Sequence, residues 1–285
     1  MILRQNVYAI PIPVSGVASV RDARPVTTGN QMVERGALSR DGKWLAFDSN
    51  IAGSQEIFVM PAVGGQARRV TRSAGGNFAP DFSGDGSQIV FHSIRNGTRD
   101  IYLINTDGSG EQRLTSDSAE SSSTAFSPDG LRIAYMNDGN TMHQLERASI
   151  TAPWQGPTLL PRKAGGPRWS PDGSQLIFGL DGFTGLGILP LGGVPRTIVR
   201  GGSGMAEWAP DGRLIYYVAS VDSTRTLLGV YRVPTAGGAP QLVVRFDVPQ
   251  LQIHLGGTLT VGNGMLYFVA RELESDIYVM DLVRK

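Results

Sequence analysis

Cysteine is absent from this chain, which excludes disulfide bonds, zinc–thiolate sites and thiol nucleophiles. Long apolar runs are absent as well, and none approaches the roughly 18 residues that a membrane helix requires. Residues 1–8 do not follow the charged, apolar and small-residue order of a signal peptide. We therefore expect no membrane insertion of this segment. The protein is cytoplasmic if Met1 is the true start, and extracytoplasmic if a signal or upstream domain precedes this sequence.

Charged residues are also scarce. Asp, Glu, Lys and Arg make up 18% of the chain and leave a net charge of +1. The basic residues are scattered, and no run of Lys or Arg offers a stripe for phosphate groups. Nucleic acid is therefore not expected as a partner.

Glycine and proline, in contrast, are abundant, with 37 and 17 residues in a chain of 285. This composition is typical of many short strands joined by tight turns. One unit recurs six times, namely Ser-x-Asp-Gly, or a relaxed form of it, followed by a short apolar run. Its copies begin at Ser39, Ser83, Ser127, Ser170, Ala209 and Val261, at spacings of 44, 44, 43, 39 and 52 residues.

Each repeat has the pattern of four strands. In the second repeat, strand a ends at Phe82, Asp85-Gly86 makes a turn, and strand b ends at Phe91. Strand c starts at Asp100-Ile-Tyr, and strand d ends at Thr115. A period near 40–45 residues with four strands predicts an all-β, six-bladed β-propeller with four-stranded antiparallel blades.

The two termini are predicted to share one blade. The last repeat supplies strands a, b and c, the third of them at residues 276–279, and residues 24–27 match strand d. An N-terminal strand paired with the C-terminal blade would close the ring. Residues 6–11 match strand c and are then surplus. One possibility is that they form an arm outside the ring, so that residues 1–285 are a single domain with an arm at residues 1–23. The other, which we favour, is that they are the remnant of a longer parent chain.

The repeats resemble those of a known family. The run Trp169-Ser-Pro-Asp-Gly173, the run Asp100-Ile-Tyr and the Gly-Gly-x-x-Arg-x-Val/Leu-Thr strands are similar to the WD40-like repeats of TolB-like propellers, over residues 6–282. The resemblance implies the architecture first. Family members include the periplasmic TolB, which binds partner proteins of the cell envelope, sensory ends of membrane kinases and regulators, and gating propellers of peptidases. The resemblance therefore favours a periplasmic or extracytoplasmic location.

Catalytic motifs are not evident. The repeated Ser and Asp are explained by turn geometry, and no Gly-x-Ser-x-Gly nucleophile elbow is present. Histidine occurs three times, as His92, His143 and His254, in different repeats and without metal-ligand spacing. We predict no catalytic residue, no cofactor and no metal. The alternative is a metal-assisted lyase or hydrolase with its site at the propeller axis.

Seven polar residues are candidates for contacts with a ligand or partner. Asp81, Arg168 and Glu207 each precede the last apolar residue of strand a, so they are expected near the channel, or in a local salt-bridge network. The start of strand a and its neighbouring loops are expected to form a rim, which holds Glu34, Arg35 and His254. His92 is a candidate because residues of different repeats can meet at the axis of a propeller.

These patterns favour a binding or sensory propeller without enzymatic activity. It is expected to present one face or its channel to a protein segment, with a small ligand in the channel as the other option. It would then form part of a larger envelope or signalling protein. Fold-level resemblance does not by itself choose the partner.

Overall fold

The computed structural model describes residues 3–73, 75–95, 97–116, 120–137, 141–180, 184–202, 205–222 and 227–273. These residues form six sheets, one for each blade, which confirms the all-β, six-bladed propeller. Strands within a sheet pair antiparallel, except that Ala18–Ser19 pairs in parallel with residues 244–245 at the edge of one sheet. Helical structure within them is limited to the 3-10 turn Val20–Asp22, where the Ser19 hydroxyl accepts a hydrogen bond from the Arg21 backbone N–H.

In chain order, the strands of the first half are β1 (Leu3–Pro11), β2 (Ala18–Ser19), β3 (Arg24–Pro25), β4 (Gly36–Leu38), β5 (Trp44–Ser49), β6 (Glu56–Pro61), β7 (Arg68–Arg69), β8 (Gly76–Phe82), β9 (Gln88–Arg95), β10 (Thr98–Asn105), β11 (Gln112–Arg113), β12 (Ser122–Phe126) and β13 (Arg132–Asn137). The second half is β14 (Thr141–Glu146), β15 (Gln155–Lys163), β16 (Gly165–Trp169), β17 (Gln175–Gly179), β18 (Gly185–Pro190), β19 (Arg196–Arg200), β20 (Ala206–Trp208), β21 (Leu214–Ser220), β22 (Leu228–Pro234), β23 (Gln241–Arg245), β24 (Leu251–Ile253), β25 (Leu259–Gly262) and β26 (Met265–Leu273).

Blades I to V are each made of four consecutive strands, namely β4–β7, β8–β11, β12–β15, β16–β19 and β20–β23. Blade VI combines strands from both parts of the chain, with β24 and β25 at its first position, followed by β26, β1 and β3. The first strand of each blade contacts the first strands of both neighbouring blades, so these six strands surround the central channel.

The Ser-x-Asp-Gly unit is a turn between the first two strands of a blade. In blade I the Ser39 hydroxyl donates to Asp41 Oδ1 at 2.6 Å and accepts from the Trp44 N–H at 3.0 Å. Gly42 adopts a φ of +68°, which side chains disfavour. The same Ser–Asp bond recurs in blades II, III and IV. These serines and aspartates therefore serve the turn, as the sequence predicts.

A second repeated contact joins the third and fourth strands. Glu56 begins β6 and is fully buried, and its carboxylate accepts from the Thr71 hydroxyl and from Arg69 at 2.5 Å. Thr71 Oγ1 in turn accepts the Ile57 N–H at 2.9 Å. Blade II repeats this arrangement with Asp100, Arg113 and Thr115. We call it the acid–threonine latch, and it explains why an acid begins strand c.

Blade VI differs from the expectation for residues 6–11. These residues are not an arm outside the ring, because β1 pairs with β26 from Leu3↔Leu273 to Pro11↔Met265 and takes the third position. Asn6 holds the latch position there, since its Oδ1 accepts from the Thr27 hydroxyl at 3.0 Å and Thr27 Oγ1 accepts the Val7 N–H at 2.9 Å. β3 pairs with β1 at the outer edge. The third strand expected at residues 276–279 lies outside the described residues.

The core lies between the blades. Alternate residues of a strand face opposite neighbours, so Leu45 and Phe47 of β5 pack toward blade VI whereas Ala46 packs toward blade II. Each of the six interfaces contains one such apolar cluster. Burial of each large apolar side chain contributes about 1.5–3 kcal/mol. The scaffold around the channel is therefore stabilised on every side.

Candidate functional site

The central channel has an opening at each end, and the first strands of the blades run from one opening to the other. We call the end beside the Ser-x-Asp-Gly turns the lower mouth and the end where the inner strands begin the upper mouth. The seven candidate residues separate into two groups. Asp81, Arg168 and Glu207 line a cavity of about 260 Å³ at the lower mouth. A cavity of about 320 Å³ at the upper mouth is lined by Glu34, Arg35, His92 and His254.

The charges of the lower mouth compensate one another. Arg168 Nε lies 3.6 Å from Glu207 Oε2, and Glu207 Oε1 accepts the Trp208 N–H at 2.8 Å. Asp81 Oδ2 accepts the Phe126 N–H of the next blade at 2.7 Å. Burial raises the pKa of Glu207 to about 7 and also raises the pKa of Asp81. The local salt-bridge network expected as the alternative thus includes Arg168 and Glu207.

Contacts across the lower mouth brace the ring. Arg40 of blade I donates from Nη1 to the Pro171 carbonyl of blade IV at 3.0 Å. Trp169 Nε1 donates to the Ala125 carbonyl, and Trp208 Nε1 donates to the Arg168 carbonyl, each at 3.1 Å. These contacts connect different blades through their inner strands and the turns that follow them.

Arg35 dominates the upper mouth. Its Nε donates to the Gly256 carbonyl at 3.2 Å, and its Nη1 donates to the Ser123 hydroxyl at 3.1 Å. Both partners are neutral, and within the described residues no carboxylate lies within ion-pair distance of this guanidinium. Burial, followed by the charge of Arg168, lowers the pKa of Arg35. Arg35 is thus a cation held by uncharged acceptors.

Asp48, which the sequence analysis missed, fixes the segment that carries Arg35. Its carboxylate is fully buried and accepts the N–H groups of Glu34 at 2.7 Å, Arg35 at 2.9 Å and Ala79 at 2.9 Å. Burial raises its pKa to about 6. The departure from the apolar pattern after Phe47, at the end of strand b, was the one available signal for this role.

His92 lies deep in the same cavity. Its ring stacks on Phe78 with centroids 5.5 Å apart, and the residue is 8% exposed. Its Nδ1 is buried without a hydrogen-bond partner. Burial, and then the charges of Arg35 and Arg99, lower the pKa of His92 well below its usual value. Arg99, a second residue that the sequence analysis missed, lines the cavity and lies 3.7 Å from Glu120 through its Nε.

An inserted loop completes the wall. The first strand of blade VI is divided into β24 and β25, which both pair with β26, and residues 254–258 loop out between them. His254 begins this loop, and its Nδ1 also lacks a partner. A Cβ on Gly257 would lie 2.9 Å from the His254 carbonyl oxygen and 3.1 Å from that of Glu34. Glycine therefore permits the loop to approach Arg35 closely.

A second cavity of about 560 Å³ adjoins the first and shares Arg35, Ser122, Ser123 and Gly256 with it. Its remaining lining includes Arg168 and the apolar side chains of Met136, Met205, Leu255 and Leu259. We call the first cavity the cationic pocket and the second the apolar pocket. The upper mouth thus offers two adjoining environments.

In the described part of the chain, no three His, Asp or Glu side chains come together in a metal-binding arrangement. His143 lies on β14, with its ring 5.5 Å from that of Tyr135, and does not line either mouth. No helix among the described residues is long and apolar enough to cross a membrane.

A comparison of the sequence with known families matches residues 11–156 to the TolB beta propeller domain. With the repeats and the six blades, this places the chain in the TolB-like propeller family. A curated relative, an uncharacterized protein of Agrobacterium fabrum, is 30% identical over 138 residues, which span 45% of this chain and 42% of that relative.

Solved structures share the fold with different activities. A TolB-like structure from Agrobacterium tumefaciens has a TM-score of 0.72 at 17% identity and covers 95% of this chain and 99% of that one. An oligogalacturonate lyase in complex with manganese has a TM-score of 0.56 at 14% identity, over 90% of this chain and 78% of that one. Such low identities establish the fold alone, so function must be argued from the site.

Proposed function

We propose that this protein is a non-catalytic binding propeller whose upper mouth holds a segment of a partner protein. The observation that carries the proposal is the junction of the cationic pocket and the apolar pocket at one end of the channel. A cleft with apolar walls and a few fixed polar groups is typical of a recognition site. Membership of the TolB-like family supports a protein partner and a periplasmic or extracytoplasmic location.

Photo-crosslinking tests this proposal. Benzoylphenylalanine would replace Leu255, a half-exposed residue of the apolar pocket, and in a control chain Val194, which is 84% exposed on a turn between β18 and β19. In the source cells, the position 255 chain should form a discrete adduct with one protein, and the position 194 chain should not. Identical adducts at both positions, or none at position 255, would contradict the proposal.

A metal-assisted lyase is the second candidate, because two histidines with unpartnered Nδ1 atoms line the cationic pocket. The positive charges of Arg35 and Arg99 on the same pocket oppose a bound cation. We therefore expect no stoichiometric Mn²⁺ binding in a calorimetric titration. Tight equimolar binding that His92→Phe abolishes would favour the enzyme instead.

A further inference from the structure

The cationic pocket contains a guanidinium that donates only to neutral acceptors among the described residues, and it has unused hydrogen-bonding groups. We propose that it binds a carboxylate, carried by an acidic side chain or by the C-terminus of the bound segment. This inference rests on the proposed function and specifies the chemistry of its ligand. The observations that support it concern Arg35, His92 and the few acidic residues nearby.

Arg35 supplies the charge. A guanidinium that touches only neutral acceptors retains donors for a planar, two-oxygen anion. The backbone that carries Arg35 is fixed, because the Asp48 carboxylate accepts hydrogen bonds from the N–H groups of Glu34 and Arg35. A carboxylate bound there would therefore meet a preorganised donor, which lowers the entropic cost of binding.

His92 provides an independent indication of a ligand. Buried polar atoms without partners are rare and costly in folded proteins. The Nδ1 atom of His92 is such an atom, on a residue that is more than nine-tenths buried and lines the pocket. Its ring is held in place by Phe78. A bound carboxylate oxygen would accept a hydrogen bond from this nitrogen when the ring carries its proton there.

The balance of charges favours a monoanion. Arg99 already has Glu120 at 3.7 Å, and Glu34 and Asp48 lower the positive potential at Arg35 without contacting its guanidinium. With three carboxylates this close, a phosphate dianion would meet more repulsion than a single carboxylate. A carboxylate with a single charge suits the pocket better.

The apolar pocket determines what accompanies the carboxylate. It shares a wall with the cationic pocket, and Met136, Met205 and Leu255 line it. Methionines provide polarizable surfaces that adapt to different apolar side chains. We therefore expect a large apolar residue beside the acidic residue or C-terminus of the bound segment.

Binding of two matched peptides tests the carboxylate. Acetyl-Leu-Asp-amide and acetyl-Leu-Asn-amide differ only in the charged group, and inorganic phosphate and acetate serve as free anions. Saturation-transfer NMR titrations with the full chain should give at least tenfold weaker binding for the Asn peptide. Arg35→Gln should cost the Asp peptide at least tenfold. Arg200→Gln, which alters an exposed arginine on β19, should leave binding unchanged.

The outcomes separate the two proposals. Equal binding of both peptides, or unchanged binding in Arg35→Gln, would overturn the carboxylate assignment while leaving peptide binding in place. Binding of phosphate without the Asp peptide would overturn it also, and so would the absence of binding by any of the four probes. If Arg35→Gln does not fold, as judged by circular dichroism, Arg99→Gln provides the same comparison, with a loss of several-fold expected. His92→Phe, which keeps the stacking on Phe78, should also weaken the Asp peptide.

Discussion

At the residue scale, single buried carboxylates fix several local parts of this structure. Asp48 positions a loop, Glu56 and Asp100 form the latch, and Glu207 pairs with Arg168. A buried carboxylate is tolerated when hydrogen bonds or a cation compensate for its lost hydration. These four carboxylates differ in how far that compensation goes, and Glu207 is among the less compensated.

The pH dependence of stability should reveal this at Glu207. Burial raises its folded pKa to about 7 from the usual 4.5, so its ionised form destabilises the folded state. The contribution of Glu207 to stability is therefore lost as the pH rises from about 4.5 through 7. Glu207→Gln removes the charge, keeps an oxygen for the Trp208 N–H, and should gain up to about 3 kcal/mol at pH 8.5 but little at pH 5.

Urea denaturation at both pH values measures this difference. Glu146→Gln, an exposed glutamate on β14, serves as the control and should change stability by less than about 0.5 kcal/mol at either pH. A Glu207→Gln protein that is less stable at pH 8.5 would mean that the attraction of Arg168 exceeds the cost of burial.

At the scale of elements, the repeat predicts where strands lie in the sequence better than it predicts which strands pair with each other. Spacing around Ser-x-Asp-Gly places the inner strands, and so it also places Arg35 and His254 on one rim. It does not decide between residues 6–11 and 276–279, because both segments match strand c. The acid–threonine latch distinguishes the two segments. The acids Glu56 and Asp100 face an arginine on strand d, whereas neutral Asn6 joins a strand that has Pro25 at that place.

Truncations should distinguish the two segments. A chain without residues 1–11 loses the nine paired residues of β1 and the Asn6 contacts, so we expect a large loss of stability or no folding. A chain that ends at residue 273 keeps every one of those pairs, so we expect it to lose less stability than the chain without residues 1–11. Equal losses for both truncations, measured by calorimetry, would contradict this assignment of β1.

The 52-residue spacing before the sixth repeat indicates an insertion, but the structure of the loop at residues 254–258 is beyond repeat-based prediction. Its conformation depends on tertiary contacts, such as the Thr258 hydroxyl bond to the Gly36 carbonyl at 2.6 Å, and not on a pattern shared with other blades. For the same reason Asp48 and Arg99 were missed, since their roles depend on neighbouring blades.

A methyl group at Gly257 should disturb the site more than the fold. Its Cβ would press on the backbone carbonyls of His254 and Glu34, so Gly257→Ala should displace the loop and weaken the Asp peptide several-fold. Gly262→Ala is the control, because its Cβ would meet only the movable Leu38 side chain, at 3.0 Å. Both affinities are measured by the NMR titration, and equal effects of the two substitutions would count against a role for the loop.

The whole molecule is a closed ring in which every blade shares one apolar cluster with each neighbour. Repeat proteins with free ends can lose terminal units one at a time, since each unit contacts only its neighbours. Here blade VI contacts blade I through Val7, Val269, Leu45 and Phe47, so the ring has no terminal unit. Opening any interface exposes apolar surface on two blades at once. Cooperative unfolding follows from this geometry.

A destabilising substitution in one blade should therefore destabilise distant blades as much as its own blade. Thr71→Val in blade I leaves the Glu56 carboxylate and the Ile57 N–H without the hydroxyl, at a cost of about 2–3 kcal/mol. With Trp44 and Trp154 changed to phenylalanine, fluorescence reports only Trp169 and Trp208, in blades IV and V. The lesion should lower the denaturation midpoint seen by fluorescence and by circular dichroism by the same amount, because a closed ring unfolds as one unit. A fluorescence midpoint that stays in place while the circular dichroism midpoint falls would show instead that blade I opens alone.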